Sequence, residues 1–449
     1  MRLPVTREHT CAASVIALLV VFLLPPPLVA QSDSLPPPSN LLGVVDTIIV
    51  SGNEKTQRYV ILDEMTVKPG SIANVKALEF DRNRIYSLGL FTRVDMYYDS
   101  LEGIRFLNVD VGERWYIIPV PVLGFRDGDP KKPFFGLGLL HNNLGGRNQK
   151  LFASAVLGYD PAASLFFSDP LISRTHNLFF SGNLFFSRVK NRSKIASAST
   201  GDFNELHYGA DVTMGKRLSL YESVGMALGY QSVRIKEYEP GRTISASGRD
   251  NFLTGTLSYT YDSRDLREYA SMGSVATLFV TKYGFGESPL SFTRFGADFR
   301  RYTPLPLTLT LATRVHTTLT PGGLVPTYAR MYFGYGERIR GHFTTVFEGE
   351  NLAGGTMELR FPLLAPRTFI FNLLPLPPEF SVWRFGVSLE VFADAGAAWF
   401  GRKVQWNSFA SGYGAGVVFL LPYGYVARTE YAFDEARKGQ FIFDVRGSI

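Results

Sequence analysis

The stretch Arg384-Phe385-Gly386-Val387-Ser388-Leu389-Glu390-Val391-Phe392-Ala393-Asp394-Ala395-Gly396-Ala397-Ala398-Trp399 decides the fold. One of its faces reads Phe385, Val387, Leu389, Val391, Ala393, Ala395, Ala397 and Trp399. The other reads Arg384, Gly386, Ser388, Glu390, Phe392, Asp394, Gly396 and Ala398. Successive side chains of a strand point to opposite faces, so this alternation describes a strand with one apolar and one mostly polar or small face. The pattern recurs outward from it. In Ala353–Phe361 the apolar face is Ala353, Gly355, Met357, Leu359 and Phe361, and the polar face includes Thr356, Glu358 and Arg360. At the C-terminus Phe441, Phe443, Val445 and Ile449 oppose Gln440, Asp444, Arg446 and Ser448.

Long alternating strands fit a bilayer. Lipid requires apolar atoms on one face, and a closed barrel satisfies every backbone group. The composition agrees: of 449 residues 43 are Gly, aromatics make up 14% and charged residues only 19%. Mean hydropathy is +0.03, far from that of a helical membrane protein. A soluble β-sandwich would not need so many strands of this length. From Trp115 to Ile449 about sixteen strands can be placed, an even number that suits a single-chain bacterial barrel. They begin near Tyr116, Pro133, Lys150, Ala162, Asn177, Phe203, Tyr221, Asp250, Met272, Leu290, Leu307, Asn351, Arg384, Ser411, Gly424 and Gly439. Pro422-Tyr423-Gly424 reads as a tight periplasmic turn. Lys190–Asp202 and Lys236–Arg249 read as long, polar extracellular loops.

One connection breaks the rhythm. Pro321–Asn351 is far longer than its neighbours and contains Met331–Phe343, punctuated by Gly334, Gly336 and Gly341 and rich in Arg. Long connections in a compact domain are usually functional. This one is expected to fold back into the barrel, with Arg340 as its anchor.

Ahead of the barrel, residues 1–30 read as a secretory signal peptide: Arg2 and Arg7, an apolar run Ala12–Leu24, then prolines and a cleavage site after Ala30. Residues 31–43 form a proline-stiffened linker. Residues 44–114 form an α+β unit with strand Val45–Val50, helices Gln57–Met65 and Val75–Leu88, and a hairpin of Phe91–Tyr98 and Ile104–Val111. Cys11, the single cysteine, lies in the leader, so the mature chain has neither disulfides nor cysteine metal sites. The remaining residues, 115–449, make the barrel. Outside the leader no run of apolar residues is long enough for a transmembrane helix.

The 44–114 unit looks like a POTRA domain, through its element order and through Gly52-Asn53 and Leu88-Gly89-Leu90-Phe91. The region from Val44 to the C-terminus resembles the BamA and TamA family of outer-membrane assembly barrels. The resemblance is carried in order by Gly136-Leu137-Gly138-Leu139, Asn143-Leu144-Gly145-Gly146, Phe167-Ser168-Asp169-Pro170, Tyr261-Asp262-Ser263-Arg264-Asp265, Ile339-Arg340-Gly341-His342, Met357–Pro362 and Phe392–Gly396. His342 stands where the family usually has an aromatic residue, and Phe333-Gly334-Tyr335-Gly336 replaces a double glycine. The resemblance implies that Ile339, Arg340, Gly341 and His342 form a lumenal loop motif and that Arg340 contacts Glu358 and Asp394, both on polar faces by alternation. A planar guanidinium suits two carboxylates better than an ammonium does. An ordinary charged lumen without specific pairing is the alternative.

The resemblance also implies a function: assembly, insertion or translocation of other chains at the outer membrane. Its mechanism would be templating at a seam between the first strand, Tyr116–Phe125, and the last, Gln440–Ile449, where Phe441 and Phe443 lie. Pro119 and Pro121 each lack a donor there. Strand Phe91–Tyr98 could pair with an extended client or only brace the barrel mouth. The expected partners are the lipid bilayer and unfolded outer-membrane or secreted clients, with periplasmic chaperones or accessory lipoproteins as further candidates. A passive pore and a dedicated two-partner secretion pore remain as alternatives. The net charge of +6 is scattered without a basic stripe, so nucleic acid is not an expected partner. His141, His176, His207, His316 and His342 stand singly without metal-ligand spacing. Gly412-Tyr413-Gly414-Ala415-Gly416 has strand-period glycines rather than a dinucleotide fingerprint. No cofactor, metal or enzymatic activity is expected.

Overall fold

The structure, a computed structural model, describes residues 41–126, 131–286, 288–370, 381–404 and 409–447. The expected leader, most of the linker, Ser448 and Ile449 lie outside the described residues.

The N-terminal unit holds β1 (Leu41–Val44), β2 (Thr47–Ser51), α1 (Arg58–Leu62), β3 (Ile72–Asn74), α2 (Val75–Tyr86), β4 (Phe91–Leu101) and β5 (Ile104–Glu113). Its sheet runs β2-β5-β4, with β2 parallel to β5 and β4 antiparallel to it. The helices cover one face of this sheet, where Ile48, Ile61, Ile85, Leu90, Phe91, Leu107 and Val109 are buried. Each contributes about 1.5–3 kcal/mol of apolar burial. Helix α2 starts where the Asn74 side chain accepts the Ala77 amide. Gly89, at φ +72°, takes the left-handed turn between α2 and β4. Asp81, fully buried on α2, accepts the Thr66 and Val67 amides and the Thr66 hydroxyl and so fixes the loop after α1. The small β1–β3 pair was not expected. Its strands are too short to show periodicity, and β1 begins within the segment read as linker.

The remainder is a sixteen-stranded antiparallel sheet. Its first strands are β6 (Ile117–Phe125), β7 (Pro133–Leu144), β8 (Gln149–Gly158), β9 (Ala162–Ser173) and β10 (Leu178–Lys190). After helix α3 (Lys194–Thr200) come β11 (Asn204–Arg217), β12 (Glu222–Ile235), β13 (Arg249–Asp262), β14 (Gly273–Tyr283), β15 (Phe292–Pro304) and β16 (Thr310–Leu319). Two short strands, β17 (Met331–Phe333) and β18 (Phe347–Gly349), pair with each other outside this sheet. The wall then resumes with β19 (Asn351–Ile370), β20 (Val382–Trp399), β21 (Ala410–Leu420), β22 (Tyr425–Asp434) and β23 (Gly439–Gly447).

Each wall strand pairs with its neighbour in chain order, from β6 at one end to β23 at the other, with β16 meeting β19. Among the described residues no ladder joins β6 to β23. The outward face is apolar: Leu123, Leu137, Leu157, Leu257, Leu389, Phe441 and Phe443 are exposed. The inward face buries Glu358, Glu390, Asp394 and Glu430. This is the arrangement of a membrane barrel, apolar outside and polar inside. Alternation blurs at the end of β20, where Ala395, Ala397 and Trp399 are all buried. The loop Lys190–Asp202, read as a long polar extracellular loop, contains α3, whose first turn is closed by the Ser193 hydroxyl accepting the Ala196 amide.

The N-terminal unit sits against the periplasmic turns of the barrel. Asn142 donates to the Gly89 carbonyl at 2.9 Å, Gln57 donates to Gly146 at 2.8 Å, and Arg84 donates to Leu220 at 3.2 Å. The Arg384 guanidinium lies 4.3 Å from the Tyr86 ring.

Candidate functional site

The segment between β16 and β19 forms a strap whose Glu337, Arg340 and Phe343 line a lumenal cavity together with wall residues. Arg340 is nine-tenths buried. Its Nε and Nη2 donate to the two oxygens of Asp394 at 2.7 and 2.8 Å, and its backbone amide donates to Asp394 Oδ2 at 3.0 Å. Nη1 donates to Glu430 at 3.0 Å, Nη2 lies 3.0 Å from Glu358, and Glu390 stands 3.7 Å away. The guanidinium plane rests on Phe392, 3.7 Å from its centroid. These partners come from three strands, β19, β20 and β22 for the acids and β20 for the ring. A single planar group with fixed donors ties together wall elements that are separated in sequence.

The local backbone geometry follows from glycine. Gly341 has φ +100°, and a Cβ there would lie 2.6 Å from the Phe433 carbonyl oxygen. Across from it, a Cβ on Gly412 of β21 would lie 2.2 Å from the Arg340 carbonyl oxygen. The strap backbone therefore lies directly on the wall, which brings Arg340 to its acids. A second seat holds Phe333. Its ring covers Gly354 of β19 and Gly396 of β20, where a Cβ would approach it to 2.8 and 2.6 Å. Ile339 is buried beside Phe333, Leu352 and Ala410.

Three further ties hold the strap. Glu337 accepts both Nη1 and Nη2 of Arg314 at 2.9 Å, and Arg314 also donates to Asp298 at 2.7 Å. His342 Nε2 is 2.7 Å from Glu435 in the β22–β23 turn, with its ring against Phe347. At the extracellular end Arg330 and Ser193 both donate to Glu348, and the Tyr328 hydroxyl donates to Asp250 at 2.7 Å. Phe343 packs on Phe392, Ala432 and Ile442, which carries the contact to the last strand.

Of the residues singled out in the sequence, Arg340, Glu358 and Asp394 meet at one point, and His342 reaches the C-terminal hairpin instead. Phe125, Phe441 and Phe443 face outward on β6 and β23. Tyr116 is not on β6. It is buried at the domain junction, where it shares a hydrogen bond with the Thr56 hydroxyl at 2.9 Å. Burial pushes its hydroxyl up to about 12. Glu430 and the Glu337–Arg314 pair were not singled out. Alternation of Arg428, Glu430 and Ala432 on β22 was the available signal for Glu430. For Glu337 there was none, since a loop has no periodicity to read.

Comparison with known proteins gives three findings. The model of the Omp85 superfamily domain matches residues 143–445, and the POTRA model, described as a surface antigen variable number repeat, matches residues 44–114. The outer membrane protein assembly factor BamA of Nitratidesulfovibrio vulgaris is 25% identical over 320 residues, 66% of this chain and 37% of that protein. The chain thus spans little more than a third of that relative's length. Two solved structures share the fold, each covering 90% of this chain at 16% identity. BamA from Haemophilus ducreyi lacking POTRA domains 1–3 has a TM-score of 0.55 with 83% of that chain covered, and CdiB from Acinetobacter baumannii has 0.50 with 73% covered.

Proposed function

Because the chain belongs to the Omp85 superfamily, matched from 143 to 445, we propose that it is an outer-membrane factor that inserts, assembles or translocates other polypeptides. The barrel stands in the outer membrane with its POTRA domain in the periplasm. The observation that carries this reading is the strap, which enters the lumen and is tied to the wall through Arg340, Glu337 and His342. A passive diffusion pore has no need of a buried, ion-paired strap, so this favours a machine that acts through its wall and its moving parts.

The wall offers a means. β6 and β23 are the end members of the ladder, and β6 carries Pro119 and Pro121. A proline in a paired strand is tolerated where its missing donor faces the unpaired side. An edge of this kind can accept an extended client strand through backbone hydrogen bonds. Clients are unfolded outer-membrane or secreted chains, and the activity needs no covalent chemistry. It is therefore read as non-enzymatic, without cofactor or metal.

The test is depletion followed by a quantitative census of the outer membrane. Broad loss of barrel proteins supports general assembly. Loss of a single secreted protein assigns a dedicated export role. An unchanged census refutes both. A disulfide engineered between β6 and β23 is expected to block the activity reversibly, and client insertion unaffected by the closed disulfide removes the seam from the mechanism.

A further inference from the structure

The Tyr261-Asp262-Ser263-Arg264-Asp265 motif leads into a second re-entrant segment, at the periplasmic end. Ser263–Met272 joins β13 to β14, yet it does not stay beneath them. Asp262 accepts Nε and Nη2 of Arg264, both at 3.0 Å, and Asp265 accepts the Ser271 amide and hydroxyl at 3.0 and 2.6 Å and the Met272 amide at 3.2 Å. These bonds preform the segment as a compact knob. Its tip reaches inward. Ala270 packs on Tyr302 and Ala312 of β15 and β16. Tyr269 packs on Val418, Leu420 and Val426 of β21 and β22. Four strands separate β14 from β21, so the knob crosses the mouth rather than lining it.

The two faces of the knob touch different machinery. On the periplasmic face, Leu266 is buried as a member of the POTRA core, and the Arg267 amide donates to the Ser87 hydroxyl at 3.1 Å. On the lumenal face, the Tyr269 ring lies 4.4 Å from the Arg360 guanidinium. Arg360 in turn donates to Glu358 at 2.8 Å, and Glu358 holds Arg340. A continuous series of packed groups therefore runs from the POTRA core to the strap's anchor.

We propose that Ser263–Met272 is a periplasmic floor that closes the lumen while the POTRA domain is seated and loosens the strap's anchor when that domain moves away. Tyr269 is its positioning residue, acting on Arg340 through Arg360 and Glu358. Seating of POTRA buries Leu266. Unseating exposes it and frees the knob to follow the domain, which withdraws the ring from Arg360. Contact with a client or partner at the POTRA domain would in this way be felt inside the barrel.

The test uses the full chain reconstituted in planar bilayers, with hydrogen exchange of the strap measured in parallel. Tyr269→Ala should raise open-state conductance and speed exchange across Tyr335–Phe343 about tenfold, the size of one partly desolvated cation–π contact. Tyr269→Phe, which keeps the ring, should match the parent. The pair Ser87→Cys with Arg267→Cys ties floor to POTRA. Oxidation should suppress openings and reduction should restore them in the same folded molecules. Parent-like conductance and exchange in Tyr269→Ala, or identical gating of the oxidised and reduced pair, overturns the proposal.

Discussion

Replacing Arg340 with alanine isolates the strap's main tie. The side chain donates to both oxygens of Asp394 and to Glu430 and approaches Glu358 at 3.0 Å, all of these groups being buried. Its loss leaves Asp394, Glu358, Glu390 and Glu430 crowded in one water-poor patch. Removing one partner of a buried pair costs about 3–5 kcal/mol, because the other charges remain desolvated. The lost stacking on Phe392 adds about 1 kcal/mol. Water entering the adjoining cavity offsets part of this. The seats of Phe333 and Ile339 remain, so the cost falls on local opening of the strap rather than on the barrel. A net loss of about 3–4 kcal/mol speeds amide exchange across Tyr335–Phe343 by roughly 10²–10³-fold. Hydrogen-exchange mass spectrometry on the full chain reads this directly, with a peptide from the β12–β13 ladder as internal reference. Arg340→Lys keeps the charge but not the fork, so it should fall between the two. Strap exchange in Arg340→Ala within about threefold of the parent would show that the guanidinium does not hold the strap.

Three other perturbations follow from the geometry. Gly412→Ala places a methyl 2.2 Å from the Arg340 carbonyl oxygen and should expose the strap to trypsin at Arg338 and Arg340. Gly336→Ala, with open space around it, should leave the digest unchanged. Glu337→Ala removes the second ion pair, but the Glu337 side chain is 40% exposed, so the loss should stay at or below about 1 kcal/mol and the exchange change well below that of Arg340→Ala. Asp81→Ala orphans the buried Val67 amide and the part-buried amide and hydroxyl of Thr66 in the POTRA domain and should cost about 2–3 kcal/mol of its local stability, read by exchange of α2 and β4. Burial holds the Asp81 carboxyl above its ordinary value. The folded domain therefore binds that proton more tightly than the unfolded chain does, and this contribution to stability grows as pH falls from neutral through the folded value, levelling below the ordinary carboxylate range. Asp81→Asn should remove that slope.

The barrel was legible because lipid enforces a period of two. Leu389 and Phe443 could be assigned to the outside, and Glu358 and Asp394 to the inside, from neighbours alone. The strap was visible as an interruption of that rhythm, and the positions of Arg340 and Gly341 could be matched to a motif. What could not be read were relations without period. Gly396 was placed on the polar face and Gly412 was read as a strand-period glycine, while Gly354 was not singled out, since strand-borne glycine carries no mark of which backbone or ring will lie on it. Beyond the Tyr261–Asp265 motif the knob at Ser263–Met272 was not singled out, because its reach across the mouth depends on Val418 and Val426 more than a hundred residues later. Tyr116 was read as the first residue of a wall strand because it precedes alternating residues. Its hydroxyl partner Thr56 lies in the other domain, beyond any local pattern.

The distribution of the strap's contacts along the wall has a mechanical consequence. The strap's wall contacts described above run from Asp250 on β13 through Arg314 on β16, Gly354 and Glu358 on β19, Asp394 on β20, Gly412 on β21 and Glu430 on β22 to Ile442 on β23. At the opposite end of the ladder stands β6, with its two prolines. Among these contacts the strap braces β23 and none falls on β6, so the two ends of the ladder are held unequally. Were the proposed seam to open, the displacement would concentrate on the β6 side while the braced β23 kept its shape. A strand pairing at that seam would then meet one held edge and one that yields.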